Sequence, residues 1–99
     1  MLAYAKMRGL SLDDYLNINH PIQQDILASF ADLCRFPVKE IELGIDGCSA
    51  PNFAVPLYNA ALGFARLCDP RELSEIRAAA CHKITSAMTM HPEMVSGYG

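Results

Sequence analysis

With 99 residues the chain is at most one domain, and 52% of those residues are apolar against 19% charged, where roughly 45–50% and 25% are usual. A net charge of −3 and the lack of any basic run exclude the electrostatic footprint of a nucleic-acid binder. No apolar stretch approaches the roughly 20 residues that span a bilayer. Lys6 and Arg8 also interrupt the place where a signal peptide would carry its apolar core.

In chain order, Met1 to Arg8 reads as helix, with Gly9 its natural stop. No N-cap precedes its apolar pattern, so the chain is expected to start inside a helix that is longer in a parent protein. Ser11 and Asp14 resemble a capping box opening a short helix through Leu16. Asn19-His20-Pro21 starts the next helix, since proline suits the first helical position. Its apolar stripe is Ile22, Ile26, Leu27, Phe30, Leu33 and Cys34, opposed by Gln23, Gln24, Asp25 and Asp32, and Pro37 ends it. Ile41, Leu43 and Ile45 alternate with Glu42 and Gly44, the period of a half-buried strand. It is the one such run, and a lone strand leaves its backbone groups in need of a partner.

Asp46 to Asn52 is turn chemistry. Phe53 to Cys68 is apolar around nearly its whole circumference, which predicts a central, most-buried helix. Asp69-Pro70-Arg71-Glu72 reads as a further helix start, with Asp69 as N-cap. Leu73, Ile76, Ala80, Ile84, Ala87 and Met88 form its expected buried stripe, His91-Pro92 closes it, and Ser96 to Gly99 is a turn. The reading is mainly α with one short strand, residues 1–99 forming a single partial domain. The apolar excess and the unpartnered strand both predict self-association.

Cys34, Cys48, Cys68 and Cys81 form no C-x-x-C pair, and three of them sit on helical apolar patterns as small hydrophobes. A reducing, cytoplasmic compartment suits that usage. The chemistry-bearing stretch is Gly44-Ile45-Asp46-Gly47-Cys48-Ser49-Ala50-Pro51, which puts a carboxylate and a thiol at a strand end. There Gly47 lets the backbone approach a ligand and Asp46 can hold a substrate ammonium group. A plain glycine turn, with Asp46 bonded locally and Cys48 buried, explains the same residues. A cysteine nucleophile would pair Cys48 with His20, His82 or His91, and no spacing selects among them. His20 and His91 precede proline at helix boundaries, where capping or exposure is expected, and His82 falls on a helix surface.

His20-Pro21-Ile22-Gln23, then Gly44 to Pro51 followed by Phe53 and Pro56-Leu57, then His91-Pro92-Glu93-Met94-Val95-Ser96-Gly97, resemble the asparaginase II family, the bacterial thermolabile type of L-asparaginase. That resemblance implies hydrolysis of L-asparagine to L-aspartate and ammonia on a larger α+β, serine-β-lactamase-like fold. It also implies a Ser-x-x-Lys nucleophile, and zinc held by a Cys-x-x-Lys pair within a C-S-G-K-H motif together with the cysteine of D-G-C. Cys48 then stands as a zinc ligand and Asp46 as a substrate-binding carboxylate. The chain contains neither Ser-x-x-Lys nor Cys-x-x-Lys, and C-S-G-K-H would stand immediately before Met1. It is therefore expected to be an internal segment, inactive and without tight zinc by itself. The rival expectations are a small helical, self-associating interaction domain and a cysteine-dependent enzyme.

Overall fold

The stripe from Ile22 to Cys34 becomes the helix on which the rest of the molecule assembles in a computed structural model, which describes residues 1–98. Helix α1 (Leu2–Met7) ends where Gly9 takes φ +66°. There the Gly9 and Leu10 N–H groups donate to the Lys6 and Ala5 carbonyls, the paired bonds that close a helix through a left-handed residue. The short helix expected from Ser11 to Leu16 does not form. The Ser11 hydroxyl accepts from Asp13 N–H, two residues on, and Asp14 adopts φ 51°, so the segment is a run of turns.

Helix α2 (Pro21–Cys34) begins as expected, with Pro21 in its first turn and His20 as N-cap. It ends on Arg35, which takes φ 49°, rather than at Pro37; Phe36 N–H then reaches back to the Ala31 carbonyl. Its buried residues are Ile22, Gln23, Leu27, Ala31 and Cys34. Gln23 thus lies inside, not on the polar side, because it stands one turn before Leu27 on the same face. Leu27, Ala31 and Ile41 form the core cluster, flanked by Phe30, Phe36, Phe53 and Val55. Each fully buried aliphatic side chain here contributes about 1.5–3 kcal/mol.

A single 3₁₀ turn (Val38–Glu40) leads into strand β1 (Glu42–Ile45). The strand is not alone. It pairs antiparallel with β2 (Pro51–Ala54), in the register Leu43 to Phe53 and Ile45 to Pro51. Its alternation does not bury one face either: all four β1 residues are exposed, Ile45 at 81%. A two-stranded ribbon is marginal by itself. This one is anchored through Phe53, whose ring centroid lies 5.0 Å from that of Phe30 on α2.

Phe53 is therefore strand, and helix α3 (Leu57–Cys68) starts only after Pro56. It is not the most buried helix. Only Gly63 is buried, while Leu57, Tyr58 and Phe64 are exposed. Close approach explains Gly63: a Cβ there would stand 2.8 Å from the Cys34 sulfur. From α3, Asn59 and Arg66 donate to the carbonyls of Leu33, Cys34 and Arg35, satisfying the open end of α2 with a cation at its negative pole.

Helix α4 (Glu75–Met90) starts at Ser74, whose hydroxyl accepts from Arg77 N–H; Asp69 instead pairs with Arg71 in the preceding loop. The expected stripe is mostly exposed, Ile76 at 87%, and Cys81 alone is buried. His91 closes α4, and a single turn, α5 (Glu93–Ser96), follows. Gly99, last of the expected Ser96–Gly99 turn, lies outside the described residues. The architecture is mainly helical with a small two-stranded antiparallel sheet. Among the described residues no helix is long and apolar enough to cross a membrane.

Candidate functional site

The β1–β2 connection carries both residues singled out in the sequence. Ser49 N–H donates to the Asp46 carbonyl and Asp46 N–H to the Ala50 carbonyl, each at 2.9 Å. Ser49 at φ 66° completes a three-residue hairpin loop whose last position is left-handed. The Asp46 carboxylate accepts from Gly47 N–H at 2.6 Å, so a local bond of the kind expected of a plain turn is present. Cys48 is nevertheless exposed, which that reading did not expect. Asp46 and Cys48 thus stand two residues apart at a solvent-facing tip.

The tip does not project into open solvent on every side. Cys48 shares a shallow hollow with Met1, Leu2, Tyr15, Leu16 and Ala50. A second hollow, walled by Leu16, Ile18, Leu43, Ile45 and Ser49, lies along the ribbon. Leu16 lines both, so the loop before α2 is wedged against the hairpin. The groove between α2 and α3 carries Phe30, Leu33, Cys34 and Phe64; it lacks ionisable groups apart from that thiol, and neither Asp46 nor Cys48 lines it.

No histidine joins Cys48. His20 Nδ1 accepts from Ile22 N–H at 3.3 Å, and its Nε2 lies 3.1 Å from the Ser11 carbonyl, so the ring donates there and both nitrogens are engaged. His82 and His91 lie together along α4, in a hollow shared with Lys83 and Met90, and His91 pairs with Glu93 at 3.4 Å. The other cysteines separate by environment. Cys34 and Cys81 are buried and Cys68 is exposed, although all three sit on helices. Burial pushes the Cys34 thiol up, with the Arg66 charge opposing, so Cys34 stays a protonated hydrophobe.

A thiol and a carboxylate are both zinc donors. Among the described residues, however, no group of three or more His, Cys, Asp or Glu side chains could hold a metal ion. One residue that the sequence pattern assigned to solvent also belongs to this region. Gln23 is wholly buried and bonded to Met1 and Tyr15, which line the hollow, and the signal that could have found it is its spacing of four from Leu27 and eight from Ala31.

The model of the family described as L-asparaginase II matches residues 1–99, the whole chain. The chain belongs to the L-asparaginase II family. No curated protein matches it. Family membership gives the chain an L-asparaginase-related function, and the amidohydrolase class is that of the family. Within this L-asparaginase II chain, the Asp46–Cys48 hairpin tip places a carboxylate and an exposed thiol two residues apart in one turn.

Proposed function

We propose that this chain is a segment of an L-asparaginase hydrolysing L-asparagine to L-aspartate and ammonia, with a serine-β-lactamase-like parent fold. Within it, Asp46 holds the substrate ammonium group and Cys48 supplies one ligand to zinc. The observation that carries the reading is the exposure of Cys48 in a hollow that Met1 also lines. In the parent protein the family's C-S-G-K-H segment would contribute the remaining ligands. Zinc bound there would favour the thiolate and act as a fixed positive charge near the substrate. By itself the chain is inactive, because it contains no Ser-x-x-Lys nucleophile.

In the full-length protein, Cys48→Ser should lower the zinc content and asparagine turnover, and Asp46→Ala should raise KM for asparagine. Undiminished zinc content in Cys48→Ser would overturn the assignment. Calorimetric titration of residues 1–99 with zinc should show no tight site. A stoichiometric site abolished by Cys48→Ser, or ammonia release by these residues alone, would favour a cysteine-dependent enzyme instead.

A second reading, a self-associating helical module, is favoured by a specific observation. Ile76, Met90, Met94, Val95 and Tyr98 are all more than half exposed along α4 and beyond it. Light scattering at high concentration should find a species larger than 10.9 kDa, and a monodisperse monomer would remove this reading.

A further inference from the structure

The first turn of α2 grips the loop that walls the Cys48 hollow. Three side chains of that turn hold three loop carbonyls: His20 bonds to Ser11 O at 3.1 Å, Gln23 Nε2 donates to Tyr15 O at 2.7 Å, and Gln24 Nε2 donates to Ile18 O at 2.6 Å. The loop itself has only local turn bonds, such as Asn17 N–H to Asp14 O, so these are what dock it. Gln23 differs from the other two in being wholly buried, and its Nε2 also lies 3.2 Å from the Met1 sulfur. Tyr15 and Met1 both line the hollow around Cys48.

We propose that Gln23 is a positioning residue for the Asp46–Cys48 site, holding Tyr15 and Met1 as the wall against which Cys48 stands. The amide orientation follows from chemistry, since an oxygen facing the Tyr15 carbonyl would repel it. Stability alone does not account for the residue. A buried amide is a costly way to fill a position that methionine fills without polar atoms, and Gln23 Oε1 has no donor among the described residues. The inference rests on reading the hairpin tip as the site, but its test measures the hollow without reference to turnover.

The four thiols make the molecule its own reporter. Cys48 reads the hollow, exposed Cys68 sets the reference rate, and buried Cys34 and Cys81 read loss of the fold. Gln23→Met keeps the length and burial of the side chain and removes the grip. With N-ethylmaleimide and peptide mass spectrometry, labelling of Cys48 relative to Cys68 should rise roughly threefold or more, Cys34 and Cys81 staying protected. An unchanged ratio in a folded variant overturns the proposal.

Should Cys34 and Cys81 also label, Gln23→Glu decides. A buried carboxyl is protonated more readily than an exposed one, so it can donate to Tyr15 O at lower pH. The ratio should then return toward the wild-type value as pH falls, and a ratio flat with pH overturns the proposal. Normal asparagine turnover in full-length Cys48→Ser would refute the site reading while leaving the Gln23 labelling result in force.

Discussion

Helices α2 and α4 are of similar length, 14 and 16 residues, and both present an apolar stripe, yet they use it in opposite ways. α2 buries five residues, because the turn-rich loop, the hairpin and α3 close around it. α4 packs against α3 and is tied to α2 by the Arg77–Asp32 ion pair, and it buries Cys81 alone. The contrast teaches that an amphipathic pattern states what a helix is able to bury. Polar groups decide what it does bury. Around α2, Gln23, Asn59 and Arg66 satisfy neighbouring carbonyls and so allow close approach, whereas α4 receives no comparable set of bonds.

The largest test of that contrast is a matched pair of truncations. Leu27→Ala should cost about 2–5 kcal/mol of unfolding free energy. Ile76→Ala should stay within about 0.5 kcal/mol of wild type. Equal losses in urea titrations would mean that α4 is as well covered as α2, and would favour an associated state in which its stripe is buried.

Gly63→Ala probes a close approach between α2 and α3. The added methyl would meet the Cys34 sulfur at 2.8 Å and the Cys34 Cα at 3.7 Å. Overpacking of this kind costs about 1–3 kcal/mol, and exceeds the gain of about 1 kcal/mol from replacing a helical glycine. Cys34→Ala in the same chain should restore much of the loss. A Gly63→Ala chain more stable than wild type would show that the two helices can part without cost.

The smallest effect belongs to the loop between α3 and α4. The Arg71 guanidinium holds the Asp69 carboxyl below its usual range through a direct hydrogen bond. A carboxyl depressed in the folded state stabilises above its unfolded pKa, and that contribution is lost as pH falls through the folded value. The Tm of wild type should therefore fall slightly more than that of Arg71→Leu between roughly pH 5 and pH 2. Both groups are exposed, so the difference stays small and shrinks with salt. Parallel pH profiles would leave the pair without a stabilising role.

What the amino-acid sequence determined by itself was punctuation. Gly9, Pro21 and His91-Pro92 act through φ limits and missing donors within a few residues, and each marks a helix boundary where expected. The turn that begins at Asp46 follows from equally local preferences, although Pro51 and Asn52 belong to the strand and the exposure of Cys48 was not legible in it. The remainder needed the neighbours. β1 found its partner in Pro51–Ala54, residues that read half as turn and half as the start of an apolar helix, and the Phe53 ring of that strand packs on Phe30. The capping signal at Asp69 lost to Ser74 when Arg71 took the Asp69 carboxylate. Gln23 reads as a surface residue until the loop that supplies Tyr15 folds over it. Only the tertiary structure brings Met1, Tyr15 and Cys48 to one hollow, since no local rule relates residues so far apart along the chain.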